Sequence, residues 1–270
     1  DASGKCIQIP GQDVIPPKLG VRSYPVVERD HLIWIWTGDP ARADPALIVD
    51  FPYLREPGWR GVPGYMHYDA NYVLIVDNLS DFAHLAFVHA RTLGGSEEYA
   101  FKTKPVSIER LERGFRVERW HMNAEPPPFH RKVVRNHDRV DRRNVGTMHV
   151  PGIFFLESVF APAGCGAEKG NLEGAKQYRN CQFFTPETRS TTHFFWNYLH
   201  DYDVHDSNIA LSLHDSMVEG FLEDKAIIEG QQQMLDADPG FRMMAIASDA
   251  PLAHFRRTLD RLIATEREQA

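Results

Sequence analysis

The run from Tyr72 to Val88 sets the tightest limit on how this chain can fold. It is largely apolar, yet Asp77, Asn78, Asp81 and His84 lie within it and His89 follows directly. With no consistently polar face, it reads as a helix buried on all sides. Buried polar and charged groups are costly unless hydrogen-bonded, ion-paired or bound to a metal, and a metal would satisfy several of these at once. Histidines five positions apart point ~140° away from each other on a regular α-helix. They can share a ligand only if the helix bulges or ends between them, and π-type bulges occur mostly at functional sites. The zinc-peptidase spacing His-x-x-x-His, with a glutamate after the first His, is absent. On these grounds the pair serves equally as core histidines bonded to backbone or as metal ligands.

A second buried acid follows from periodicity. Residues 206–234 have helical spacing, and Met217, Phe221, Asp224 and Ile228 fall at i, i+4, i+7 and i+11, on one face. Asp224 therefore points inward and needs a partner, either a metal or an arginine or lysine across the helix pair. Glu219 and Glu223 fall together on another face and read as solvated.

The pattern Asp77-Asn78-Leu79-x-Asp81-x-x-His84-x-x-x-x-His89 closely resembles the mononuclear iron motif of Rieske non-haem iron oxygenase α-subunits, most of all the vanillate O-demethylase type. Phe221-Leu-Glu-Asp224-Lys with Glu229-Gly-Gln-Gln232 is similar to the family segment that supplies a carboxylate. The resemblance implies Fe(II) held by His84, His89 and Asp224, the two-histidine, one-carboxylate arrangement that leaves positions open for oxygen chemistry. It implies O2 as co-substrate and electrons from NAD(P)H through a reductase or ferredoxin and a [2Fe-2S] Rieske centre. The implied reaction inserts one oxygen atom into an aromatic substrate, foremost at a methyl ether, so that the hemiacetal loses formaldehyde; N-demethylation and ring hydroxylation are the alternatives within the family. Outside it stand a zinc hydrolase using the same ligands and a non-catalytic carrier of an apolar ligand.

Further residues take roles from the same resemblance. Asp81 is expected to orient His84 or to link the iron to the cluster of an adjacent subunit in a homotrimeric ring; its alternative is a backbone cap. Asn78 is expected near the iron, or in a structural hydrogen bond. His149, His193 and Phe195, on predicted strands, are candidates to contact substrate if they face the cavity, and are otherwise ordinary half-buried strand residues.

A Rieske cluster needs two Cys and two His, in this family as Cys-x-His and Cys-x-x-His. Cys6, Cys165 and Cys181 lack that context. By the resemblance, residues 1–45 are expected to be the C-terminal remnant of a Rieske domain, with a hairpin from Val21–Val27 and His31–Trp36 turning at Glu28-Arg29-Asp30; the alternative is a complete protein whose N-terminal hairpin packs on the core. Residues 46–270 are expected to be the catalytic domain. A Pro- and Asp-rich stretch from Gly38 to Pro52 reads as a linker. Strand candidates cover 64–70, 106–109, 115–122, 143–150, 153–160, 178–184 and 191–199; Pro126-Pro127-Pro128 and 164–174 read as loops, and Gly94-Gly95-Ser96 as a break. A final helix, capped by Ser248 or Asp249, carries Phe255 inward and Arg256 and Arg257 toward solvent. Strands followed by helices give an α+β class, and the resemblance implies a curved antiparallel sheet gripping helices around a cavity.

The formal charge of −7 argues against nucleic acid as partner. No apolar run approaches the ~18 residues that a membrane span requires, and no signal-peptide pattern is present. Three scattered cysteines fit free thiols in a reducing compartment, so the expected location is the cytoplasm.

Overall fold

Strands of alternating parity and two long helices build the protein. A computed structural model describes residues 1–94, 97–102, 105–134, 138–244, 246 and 249–268. In chain order these form β1 (Val26–Arg29), β2 (Leu32–Ile35), β3 (Arg60–Tyr68), α1 (Tyr72–Ser80), α2 (Leu85–Val88), α3 (Glu97–Lys102), β4 (Pro105–Leu111), β5 (Gly114–Ala124), α4 (Pro128–Val134), β6 (Val140–His149), β7 (Ile153–Pro162), β8 (Lys176–Pro186), β9 (Thr192–His200), α5 (Ser207–Ala237) and α6 (Ala250–Glu268). The chain divides into two compact units, Asp1–Glu56 and Pro57–Ala270.

In the first unit β1 and β2 pair antiparallel. Their turn is Asp30-His31, both at positive φ, one step later than the sequence suggested; the reason is that a two-residue hairpin turn matching strand twist needs left-handed backbone at both central positions. Asp30 is buried and ion-paired with Arg55. The stretch read as a linker holds short 3-10 turns opening at Pro40, Pro45 and Pro52, the first two capped by Asp39 and Asp44.

In the second unit seven strands form one antiparallel sheet in the order β3-β9-β8-β7-β6-β5-β4. Each strand sends alternate residues to opposite faces. On β9, Phe194, Trp196 and Tyr198 are buried, while His193, Phe195 and Asn197 between them are only half-buried. β-Bulges between Pro105 and Ser107 and between His121 and Ala124 interrupt the pairing and bend their strands. Helix α5 packs on β3 and β9 and against α1 and α4, and α6 packs on β5 and α1. The core between sheet and helices joins Tyr68, Ile75, Phe154, Phe194, Leu213 and Phe221.

Three expectations are corrected here. The helix from Tyr72 stops at Ser80 instead of running to Val88, because Asp81 turns to extended backbone and its N–H closes back onto the carbonyls of Asp77 and Asn78. Pro128 opens a helix where a loop was expected; proline has no N–H to lose and its fixed φ suits a first turn. Arg256 is not free on the solvent side of α6 but ion-pairs with Asp77 on α1. Gly95, Ser96 and Ser248 lie outside the described residues. The three cysteines are free thiols, and no described helix is long and apolar enough to cross a membrane.

Candidate metal centre

The end of α1 and the two ends of α2 place the histidines. Once the chain leaves α1, the Asp81 carboxylate accepts the N–H of Ala83 at 2.8 Å, a local cap that starts the next turn. His84 immediately precedes α2 and His89 immediately follows it, with φ −107° and ψ 28°. His84 keeps helical dihedrals while His89 leaves them, and this end of the short helix brings together two rings that a continuous helix would splay, with centroids 5.2 Å apart. Nδ1 of His84 donates to the backbone carbonyl of Asp81. Nδ1 of His89 donates to Glu223 Oε2 at 2.8 Å, which also accepts from Thr92 Oγ1 at 2.6 Å.

Carbonyls and carboxylates only accept, so both rings carry a proton on Nδ1 and turn Nε2 toward Asp224, where the neutral imidazole has its lone pair. Those Nε2 atoms lie 3.5 Å (His84) and 3.0 Å (His89) from Asp224 Oδ1. The same oxygen accepts from Asn78 Nδ2 at 2.8 Å. One ligand atom from each of His84, His89 and Asp224 lies within 4.8 Å of the others. His89 is 1% exposed and Asp224 3%. Three such atoms facing one another out of water repel unless a proton or a metal cation lies among them, and the donor set fits a metal ion, its makeup suiting Fe(II) as well as zinc. The charges agree. Burial lowers the pKa of His84 despite the Asp224 charge. At His89 burial works in the same direction, but bonds and charges from Asp224 and Glu223 outweigh it and raise the pKa.

Glu223 corrects the sequence reading. It was expected in solvent and its side chain is 33% exposed, but it flanks the Asp224 stripe and is long enough to reach His89. Asn78 bonds Asp224 directly. Asp81 touches His84 through its main chain, while its carboxylate serves as the backbone cap. His149, His193 and Phe195 do not line the cavity. His193 bonds the Tyr65 hydroxyl at 2.8 Å and Phe195 packs on the Tyr65 ring; His149 packs on Phe155. Strand parity is the reason, since all three sit at odd positions whereas the cavity takes even ones.

The cavity opens from the three candidate ligands onto the inner face of β6, β7 and β8. Phe154 and Leu156 make it apolar; Arg142, Asn144, Ser158, Asn180 and Gln182 add polar groups. Cross-strand register aligns Asn144 with Ser158, Leu156 with Asn180 and Phe154 with Gln182. Asn180 Oδ1 and Gln182 Oε1 are buried without a hydrogen-bond partner among the described residues. These polar residues escaped the sequence reading. Their signal was an amide repeated at the parity of Tyr178 and Phe184, on a strand face that otherwise buries apolar groups.

Residues 68–265 match the family model described as the vanillate O-demethylase oxygenase C-terminal domain. The iron-sulfur subunit of the toluene-4-sulfonate monooxygenase system of Comamonas testosteroni is 42% identical over 268 residues, spanning 98% of this chain and 76% of the relative. The vanillate O-demethylase oxygenase subunit of a Pseudomonas species is 30% identical over 273 residues, spanning 99% of this chain and 82% of the relative. Among solved structures, dicamba monooxygenase bound to 3,6-dichlorosalicylic acid superposes with a TM-score of 0.88 at 28% identity, covering 99% of this chain and 78% of that one.

Proposed function

Because the chain belongs to the vanillate O-demethylase type of Rieske non-haem iron oxygenase, we propose that His84, His89 and Asp224 hold Fe(II) at the head of a substrate cavity. The convergence of three acceptor atoms on that cavity carries the reading. Iron bound there supplies reductive activation of O2. The chain's own residues do the rest. The Asp81 carbonyl and the Glu223 carboxylate hold each imidazole proton on Nδ1 and so aim each Nε2. The Asn78 amide fixes one oxygen of Asp224. Phe154, Leu156 and Phe221 keep water from the reacting carbon, and Asn180 and Gln182 offer amides to polar groups on the substrate ring.

The substrate is an aromatic methyl ether, by likeness to relatives named for vanillate and dicamba O-demethylation. Ether, O2, a pair of electrons and a pair of protons balance phenol, formaldehyde and water. A second reading, oxidation of a methyl carbon borne directly on the ring, is favoured by the 42% identical relative named for toluene-4-sulfonate. Formaldehyde release separates the two. Electrons come from NAD(P)H through a reductase or ferredoxin and a [2Fe-2S] centre whose ligands are not among Cys6, Cys165 and Cys181. Residues 1–45 form the end of the cluster-bearing domain and residues 46–270 the catalytic domain. The assembly is a cytoplasmic homotrimer in which the Asp81 charge assists transfer from the neighbouring cluster.

The test is metal content with turnover. His84→Ala, His89→Ala and Asp224→Ala are each expected to lose iron and activity while remaining folded, and Asp81→Asn to keep iron and turn over slowly. Full iron in Asp224→Ala, or zinc in place of iron in the wild type, overturns the assignment.

A further inference from the structure

Arg142 has a buried charge that the metal centre does not use. It lies on β6, is 7% exposed, and lines the cavity that the iron ligands head. Its guanidinium sits between the rings of Tyr99 and Phe160, at 5.0 and 5.1 Å from their centroids. The next residue, Arg143, points the other way and pairs with Glu118 at 2.8 Å. Arg142 has no carboxylate partner among the described residues. Asp141, also adjacent, spends its carboxylate on the N–H groups of Asn123 and Gly164.

The groups that do reach Arg142 are neutral. With its amide turned to suit its neighbours, Asn144 accepts at Oδ1 from Arg142 Nε and Nη2 at 3.3 Å and donates from Nδ2 to Ser158 Oγ at 2.9 Å. His130 stacks on the far ring, Phe160, at 4.4 Å. Burial, reinforced by the charges of Arg142 and Lys176, drives its pKa to about 3, so it stays uncharged and supplies no balancing group. An isolated buried cation is costly unless it is paired. Ring faces offset part of that cost but leave the charge unbalanced. A planar guanidinium is matched by the paired oxygens of a carboxylate or sulfonate.

We propose that Arg142 anchors an acidic group on the aromatic substrate, so that the ring lies between this anchor and the metal centre. Asn144 and Ser158 form the neutral rim of the anion site. The oxygenase reading is assumed here, and the cavity then selects aromatic acids over their uncharged analogues.

The experiment uses the full iron-loaded chain and calorimetric titration with 4-methoxybenzoate, 4-toluenesulfonate and the uncharged 4-methoxybenzamide. Wild type is expected to bind at least one acid about ten-fold or more tightly than the amide, since a desolvated charge pair dominates such a difference. Arg142→Gln is expected to erase that preference and shift amide binding less than about two-fold. Equal affinities in wild type, or a preference that survives in Arg142→Gln, overturn the proposal. If Arg142→Gln does not fold, Arg142→Lys decides: it keeps the charge but loses the planar fork, so acid binding should weaken and amide binding hold, and unchanged acid binding overturns the proposal. Iron content of the same samples separates the two readings. Wild type without iron sinks the oxygenase assignment, whereas loaded protein without an acid preference sinks the anchor alone.

Discussion

Glu223 is within one residue of a proposed metal ligand, yet its role lies with another. Its carboxylate holds the Nδ1 proton of His89 and the hydroxyl of Thr92, so Glu223→Gln keeps the size and removes the charge that aims the imidazole. Iron affinity is expected to fall about ten-fold or more, measured by iron titration, with the fold unchanged. Exposed Glu219, substituted in the same way, should leave affinity untouched. Asp224 was legible in the sequence because helical periodicity reports the direction of Cβ. Glu223 was not, because the far end of a long side chain follows its partners rather than its face. His84 and His89 were legible as a contradiction: their spacing was incompatible with an uninterrupted helix, and the helix is indeed broken, though earlier than expected.

Helix α5 has two glycines with opposite reasons to exist. A Cβ at Gly230 would meet nothing within 4 Å, whereas one at Gly220 would meet Leu93 Cδ1 at 2.3 Å, and Leu93 lines the cavity. Gly230→Ala should therefore stabilise the protein by about 0.5–1 kcal/mol, the ordinary helical gain. Gly220→Ala should forfeit that gain and weaken substrate binding by pushing Leu93 into the cavity; urea unfolding with ligand titration reads both. Helix α1 is tied to α6 through Asp77 and Arg256. Burial nevertheless raises the Asp77 pKa to about 6, against the pull of Arg256. The folded state thus holds this proton more tightly than the unfolded chain, so the stability it contributes is complete below the unfolded value and lost as pH rises through about 6. Between pH ~4 and ~7 the wild type should lose about 2 kcal/mol relative to Asp77→Asn, as the linkage relation requires. A pH-independent difference in urea unfolding would show that Arg256 satisfies the charge. Apolar spacing made the helices themselves legible, but not this tie, since periodicity marks Arg256 only as off the apolar stripe.

For the whole molecule, alternation made most strands of the sheet legible, but their order was not, because register between distant strands is not local information. Strand β3, the first of the sheet, pairs with β9, the last, and the bond from His89 to Glu223 spans 134 positions. That closure bears on when the proposed metal site can be completed. The histidines precede β4 to β9 in the chain, whereas the carboxylate lies on α5, after the last strand. Long-range closure of this kind is slow, because chain entropy is lost before the contact forms. A nascent or refolding chain thus has no complete ligand set to trap iron, and loading follows folding. Ferrous iron in the refolding buffer should leave the folding rate unchanged while slowing unfolding, the pattern for contacts absent from the transition state. Stopped-flow measurements with and without chelator test this, and faster folding with iron would place the metal in the nucleus. In the cell, the iron supply would then limit how much folded protein is active, not how much protein folds.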